Sequence, residues 1–345
     1  MTQNNNSNDT VSILTKKDFV SDQMVKWCPG CGDHSILASL ENVLPKLGKK
    51  KEDIVVVSGI GCSSRFPYYV NTYGFHGIHG RALPIACGIK MANPNLSVWV
   101  TTGDGDSLAI GGNHFIHTIR RNFDVNLILF NNKIYGLTKG QYSPTTPLGQ
   151  ITKTSPYGTI DEPFNPGELV IGAKGTFFAR VTDKNPKYMS DIMYRAAQHK
   201  GTSILEVLQN CVIFNNGAHN EITDKDKRDD NQLILEHGKP MLFGKNKEKG
   251  IRINGTKLQA VTLGENGITI DDILVHDEKE EDPSIHFMLA RMHLPELPVA
   301  IGVIRDVDSH TYEDMLYDQI EERKVSSPYK CVDDLLNSGD TWEIK

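Results

Sequence analysis

Four cysteines stand at positions better suited to holding a metal centre than to forming bridges: Cys28 and Cys31 in WCPGCG, Cys62 in GIGCSSR and Cys211 in LQNCVIF. Cys28 and Cys31 can chelate one centre from a tight turn that Pro29 and Gly30 shape, and Cys62 and Cys211 bring the thiolates to four. Such a set suits a 4Fe–4S cluster or a tetrahedral zinc, and spacing alone leaves both open. A second constellation is Gly103-Asp104-Gly105, followed after 25 intervening residues by Asn131-Asn132. A strand that ends on Asp104 between two glycines lets the backbone approach a diphosphate closely. Asn132 then arrives at a neighbouring strand end. One carboxylate, one amide oxygen, a backbone carbonyl and two phosphate oxygens complete an octahedron around Mg²⁺. A lone GDG is a common turn; the strand–helix–strand interval to a polar loop gives this one its weight. The two sets together predict a redox enzyme built around a diphosphate cofactor.

The elements that must position these residues follow from periodicity. Residues 35–47 carry apolar side chains at helical spacing and stop at Gly48. Residues 53–57 (DIVVV) read as a buried parallel strand running into SGIGC. Residues 82–92 form a small-residue helix, SVWVTTGDGD a strand ending in a loop, GGNHFIHTIRRNF a helix and VNLILFNN a second apolar strand ending in a polar loop. YMSDIMYRAAQHK is helical and TSILEVLQNC a strand. Strands alternating with helices predict an α/β fold, a mostly parallel sheet with helices on both faces. Ligands of such sheets sit at the carboxyl ends of the strands, where SGIGC, GDGDS and FNNKIYG all fall. The expected organisation is a polar lead-in over 1–24, a cofactor-binding domain over 25–215 and a less regular C-terminal extension over 216–345. The acidic run at 277–282 reads as a solvated loop.

The chain has 345 residues and a formal net charge of −6. That balance argues against a nucleic-acid partner. No apolar run reaches the roughly 18–20 residues that span a bilayer, and the polar MTQNNNSNDT, read as a disordered tail, lacks a signal peptide's apolar stretch. Six cysteines are too few for a disulfide scaffold, so a cytoplasmic location with reduced thiols is expected. Cys87 reads as a small buried residue, and Cys331 has no partner motif.

WCPGCGDHS, SGIGCSSRFPYY, HGIHGRALPIACGIK, GDGDSLAIGGNH and NNKIYGLTKGQYSPTTP, in that order, resemble the beta subunits of 2-oxoacid:ferredoxin oxidoreductases, and most of all those of the 2-oxoglutarate type. The resemblance runs from about Val25 to Asn215 and is weaker beyond. It implies a thiamine diphosphate-binding fold. Asp104, the Asn132 side chain and the Ile134 carbonyl would bind Mg²⁺. Gly103, Gly105, Asp106, Gly136 and Leu137 would line the diphosphate and thiazolium. Ile60, Gly61, Cys62 and Ser63 would pass beside the cofactor, with His79 approaching from the HGIHGRA loop. Cys28, Cys31, Cys62 and Cys211 would hold one 4Fe–4S cluster.

The reaction so implied is oxidative decarboxylation of 2-oxoglutarate to succinyl-CoA and CO₂, with coenzyme A as co-substrate and ferredoxin receiving the electrons. An alpha subunit would supply the glutamate that activates the cofactor, in an assembly of two alpha and two beta chains. Arg65 is a candidate to hold the distal carboxylate of 2-oxoglutarate through paired hydrogen bonds. Thr138, Gln141, Ser143 and Thr145 are candidate polar linings of the cofactor loop. The other readings are a beta subunit for pyruvate or branched-chain 2-oxoacids, a thiamine carboligase without redox output, and a zinc-stabilised non-catalytic subunit. The four cysteines argue against the carboligase.

Overall fold

A computed structural model describes residues 14–344, so the first ten residues lie outside the described part of the chain. Its strands are β1 (Ile54–Ser58), β2 (Tyr73–His76), β3 (Ser97–Gly103), β4 (Asn126–Asn131), β5 (Phe177–Thr182), β6 (Ser203–Leu208), β7 (Gln232–Ile234), β8 (Leu242–Phe243), β9 (Lys249–Asn254), β10 (Lys257–Thr262) and β11 (Val299–Asp306). Eight of them form one sheet in the order β2-β1-β3-β4-β6-β5-β11-β7. The first six run parallel, and β11 pairs antiparallel with β5 and parallel with β7. β1, β4, β5 and β6 are buried along their whole length, as their mostly apolar runs require of a sheet covered on both faces; the buried charges of β5 and β6, Arg180 and Glu206, pair with each other. Two apolar clusters, one on each side, supply that cover.

The register brings the strand ends level. Ser58 pairs with Thr101, Gly103 with Phe130, Asn131 with Leu208, and Thr182 with Leu208. The loops after β1, β3, β4, β5 and β6 therefore leave one edge together, as ligand sites in parallel sheets require. The helix expected over 35–47 begins at Asp33 and runs to Val43. Leu44–Leu47 then tightens to a 3₁₀ turn, because Pro45 cannot continue an α-helix, and Gly48 ends it at φ +65°.

The region after 215 does not stand apart from the sheet. β7 and β11 extend it, while β8, β9 and β10 make a small antiparallel sheet of their own. The solvated loop expected at 277–282 is fastened through its backbone: Arg305 on β11 donates to the carbonyls of Glu280 (2.9 Å) and Glu281 (3.0 Å) and to Nδ1 of His286 (2.8 Å). The two glutamate side chains themselves stay exposed. Glu278 of the same run is buried and its carboxylate pairs with Arg195 at 2.6 Å, so the run is anchored by a side chain as well as by carbonyls, and charge density alone marks neither contact. Among the described residues no helix is long and apolar enough to cross a membrane. Cys87 is partly buried with its thiol 3.4 Å from the Thr118 hydroxyl, and Cys331 is exposed.

Candidate functional site

The loops at the ends of β1, β3 and β4 enclose a cavity of about 260 Å³. Ile60, Gly61, Cys62 and Ser63 line it from the loop after β1, and Gly103, Asp104, Gly105 and Asp106 from the end of β3. Asn132, Ile134, Gly136 and Leu137 line it from the loop after β4, and His79 from the HGIHG turn. The structure thus brings to one place the residues that the resemblance set around the diphosphate and thiazolium, while of the four polar linings expected from the following loop only Thr138 reaches the wall.

Asp104 is 1 % exposed, and one of its oxygens, Oδ2, accepts from both Ser143 Oγ and Thr145 Oγ1 at 2.5 Å. Burial pushes this carboxyl up to about 6, and the two hydroxyls pull against that rise. Ser143 and Thr145 are therefore not cavity linings. They stand behind Asp104 and leave Oδ1 without a side-chain donor among the described residues. Gln141 pairs with Thr138 and does not reach the cavity wall, whereas Thr138 does. Behind Thr145 the network continues inward. Asn131 Oδ1 lies 2.9 Å from Thr145 Oγ1, Asn131 Nδ2 donates to Glu206 at 2.7 Å, and Glu206 pairs with buried Arg180 at 2.6 Å. Asn131, the first residue of the NN pair, is thus a buried strut. Asn132 faces the cavity, and Lys133 makes the sharp turn between it and Ile134 at φ +58°.

His219, from beyond residue 215, supports the same strand end by donating from Nε2 to the Asn131 carbonyl at 2.9 Å. Burial, with Lys133 nearby, lowers its pKa to about 3. The folded chain thus keeps His219 neutral, while an unfolded chain protonates it below pH ~6.5. Stability is lost as pH falls below that point. His219→Gln, which cannot titrate, should recover about 1.4 kcal/mol of that loss per pH unit between 6.5 and 3, measured by denaturant titration of both chains at several pH values. Parallel curves would show that His219 titrates normally.

Asp106 is the organiser of the cavity. Its Oδ1 lies 2.7 Å from His79 Nδ1 and accepts from the Gly80 N–H (2.8 Å) and the Ile60 N–H (3.1 Å), while Oδ2 accepts from Thr102 Oγ1 at 2.7 Å. A carboxylate that already accepts two backbone donors takes a third from the ring, so Nδ1 of His79 carries the proton. Nε2 is the ring nitrogen left without a partner among the described residues.

The two glycines of GDG serve different ends. A Cβ on Gly105 would overlap the ring of Tyr135, whose hydroxyl donates to the Gly105 carbonyl at 2.9 Å. A Cβ on Gly103 would meet only Ser63 Oγ at 3.7 Å and would otherwise occupy the cavity wall. Gly105→Ala should therefore cost about 1–3 kcal/mol of stability through overpacking. Gly103→Ala should fold normally and weaken cofactor binding. Thermal denaturation and cofactor titration of both variants check this, and an equal loss of stability in the two would remove the distinction.

The cysteines meet on the far side of Cys62. Trp27 donates from its ring nitrogen to the Cys62 carbonyl at 2.7 Å, and the Gly32 N–H donates to the Asn210 carbonyl at 3.2 Å. These bonds tie the WCPGCG turn to both the Cys62 turn and the Cys211 segment. A Cβ placed on Gly136 would lie 3.5 Å from Cys211 Sγ and 3.7 Å from Cys62 Sγ. Burial raises the Cys62 thiol to about 12, with Asp33 and the nearby Cys211 and Cys28 sulfurs adding to it. Burial likewise raises Cys31, which senses Asp33, Cys211 and Cys62. The four sulfurs thus share one neighbourhood. Among the described residues, however, no three ligand side chains converge tightly enough for a single metal ion. A tetrahedral zinc with Zn–S of about 2.3 Å needs sulfurs in near contact, whereas a cubane spreads its ligands over its own iron and sulfide corners.

Arg65 is not on the cavity wall: its Nε donates to the Tyr69 hydroxyl at 2.8 Å, and its guanidinium lies over the rings of Tyr68 and Tyr69. The 3₁₀ turn Ser63–Arg65 carries it past the cavity, a rotation that counting residues from Cys62 does not reveal. Conversely, Asp33 and Tyr135 line the cavity and were not singled out. Asp33 is buried with Oδ2 unpaired among the described residues; burial raises its carboxyl to about 7, Asp183 adds to that, and a bond from Cys31 opposes it. In the sequence its only signal was adjacency to the cysteine turn.

The chain matches the C-terminal TPP binding domain of thiamine pyrophosphate enzymes over residues 59–207. It is 46 % identical over 331 residues to the 2-oxoglutarate oxidoreductase subunit KorB of Mycobacterium tuberculosis, covering 95 % of this chain and 88 % of that one. The chain belongs to the family of 2-oxoacid:ferredoxin oxidoreductase beta subunits. Another member, the 2-oxoglutarate synthase subunit KorB of Archaeoglobus fulgidus, is 46 % identical over 196 residues, which is 56 % of this chain and 73 % of the archaeal one. Among solved structures, this beta subunit resembles the 2-oxoglutarate:ferredoxin oxidoreductase of Magnetococcus marinus with 2-oxoglutarate, coenzyme A and succinyl-CoA bound. The TM-score is 0.77 at 29 % identity, over 96 % of this chain and 98 % of that one. The likeness therefore extends through the region after 215.

Proposed function

We propose that this chain is the beta subunit of a CoA-acylating 2-oxoglutarate:ferredoxin oxidoreductase, working with an alpha subunit, thiamine diphosphate, Mg²⁺ and one 4Fe–4S cluster. The observation that carries this reading is Cys62, which lines the cofactor cavity and also belongs to the four-sulfur neighbourhood. A single turn of chain then separates the organic chemistry from the electron acceptor. When bound, thiamine diphosphate supplies the nucleophile and electron sink for loss of CO₂, and the cluster supplies one-electron transfer toward ferredoxin.

The chain's own residues supply the setting. Asp104, Asn132 and the Ile134 carbonyl hold the Mg²⁺ diphosphate. The buried Ser143 and Thr145 hydroxyls keep Asp104 in place. His79, aligned by Asp106, presents Nε2 as a base or acceptor beside the reacting atoms. Cys28, Cys31, Cys62 and Cys211 would hold the cluster, and the position of Cys62 on the cofactor cavity, where an electron acceptor has a use and a structural zinc has none, favours it over the zinc-stabilised, non-catalytic reading. Both KorB relatives and the solved neighbour bear 2-oxoglutarate in their names, which ranks it above pyruvate and branched-chain acids.

The test is anaerobic co-expression with the alpha chain, followed by CoA-dependent reduction of a low-potential dye. Faster reduction with 2-oxoglutarate than with pyruvate is expected, together with about four iron per beta chain. A complex that contains thiamine and iron yet reduces the dye with no 2-oxoacid would overturn the reading.

A further inference from the structure

Gln209 lies between β6 and Cys211 and is 1 % exposed. Its backbone N–H donates to the Asn131 carbonyl at 3.0 Å, which fixes the residue at the same strand end as the cofactor loop. Its side-chain nitrogen, Nε2, donates to the Asn210 carbonyl at 2.7 Å and reaches Cys31 Sγ at 3.3 Å. An amide nitrogen carries two hydrogens, so both bonds form at once. Its oxygen, Oε1, is buried without a partner among the described residues. Burying an unpaired amide oxygen costs free energy that a methionine or leucine of similar size would not incur. What the amide adds in return is two donors, one to the Asn210 carbonyl and one to the Cys31 sulfur, and only the second reaches a residue of the four-cysteine set.

A thiolate that ligates iron carries part of the cluster's negative charge, and that charge grows when the cluster takes an electron. An N–H directed at the sulfur stabilises the reduced state more than the oxidised one and so raises the potential. We infer that Gln209 is a positioning residue that sets the reduction potential of the iron–sulfur centre through its hydrogen bond to Cys31. The inference rests on the cluster reading of the preceding section. It assigns to Gln209 the tuning of how readily electrons leave the cofactor cavity, while the four cysteines do the binding. The carboxamide acts here without titrating, so the effect is the same across the working pH range.

The test compares the assembled wild-type complex with Gln209→Met, which keeps the length and removes the donor. Iron content and an EPR-monitored redox titration are read from each. Gln209→Met is expected to retain iron and to favour the reduced state about tenfold less, a shift of about 59 mV to more negative potential for a one-electron couple. Full iron with an unchanged midpoint would overturn the inference and leave the cluster reading intact. A second measurement needs no variant. Wild-type complex carrying ¹⁵N in its glutamine side chains should show a nitrogen coupling to the reduced cluster in pulsed EPR, and its absence would overturn the inference even if Gln209→Met fails to assemble. A wild-type complex without iron would overturn both readings together.

Discussion

Asp106→Asn lowers turnover of the assembled enzyme on the order of 10²-fold, the scale on which loss of a group that orients catalytic machinery is felt, while the chain still folds. The reason lies in what one carboxylate does for three loops. It receives His79 Nδ1, the Gly80 and Ile60 N–H groups and the Thr102 hydroxyl. An asparagine has one acceptor oxygen in place of two. If that oxygen serves Gly80 and Ile60, the amide hydrogens face Thr102, whose hydroxyl can turn to accept one of them. If it serves Thr102, the amide hydrogens face two backbone donors and the ring of His79. In the first arrangement the oxygen that takes His79, Gly80 and Ile60 has lost its negative charge and holds the ring more weakly, and in the second the ring's tautomer inverts and Nε2 carries the proton into the cavity. Turnover and cofactor affinity measured side by side distinguish the outcomes. A large fall in turnover with a smaller change in affinity is expected, since Asp104, Asn132 and Ile134 are untouched. Turnover within threefold of wild type would show that the reaction does not use the orientation of His79.

Gly32→Ala removes most of the iron without changing a single ligand. A Cβ at this position would overlap the Asp183 carboxylate and crowd the Gln209 side chain. Neither can yield easily. Asp183 Oδ2 accepts from the Asn210 N–H at 2.8 Å and its carbonyl accepts from Ser35 Oγ at 2.7 Å, while Gln209 is held at both ends of its backbone turn. The turn bearing Cys28 and Cys31 must then lift away from Cys62 and Cys211, at a cost of about 1–3 kcal/mol or more for overpacking. Gly30→Ala is the control. It strains the backbone, which sits at φ +81°, by roughly 1–2 kcal/mol, yet its nearest neighbour would be Val212 at 3.8 Å. Iron analysis of both purified complexes should find Gly32→Ala at less than half of wild type and Gly30→Ala near full occupancy. Wild-type iron in Gly32→Ala would mean that the turn is free to move and that its closeness to Asp183 is not what places Cys31.

The candidate residues at the cavity were legible because binding a diphosphate or a metal centre demands particular types at particular places. Asp104 between glycines, Asn132 one strand–helix–strand interval later and the four cysteines each declare themselves by type and spacing. The strands that deliver them declare themselves too, since a strand buried on both faces is mostly apolar, as IVVVS, NLILFN and SILEVL are apart from polar residues at their ends and the paired Glu206. β2 and β11 were not legible for the opposite reasons. β2 is an exposed edge strand with no apolar signature, and β11 pairs across a long stretch of sequence with β5. What the glycines are for was half legible. Gly103 faces the cavity, as expected, but Gly105 is glycine because Tyr135 lies on it.

The amino-acid sequence by itself determined the fold class, the family and the identity of nearly every side chain at the cavity, because periodicity and motif spacing are local properties that survive in one dimension. Only the tertiary structure decided how those side chains are held. That Ser143 and Thr145 stand behind Asp104, that Asp106 aligns His79, that Gln209 reaches Cys31 and that Arg65 turns away to Tyr69 all depend on contacts between loops from different strands. Hydrogen bonds of that kind are set by the register of the sheet and the rotation of each turn, and neither is written in the residues that make them.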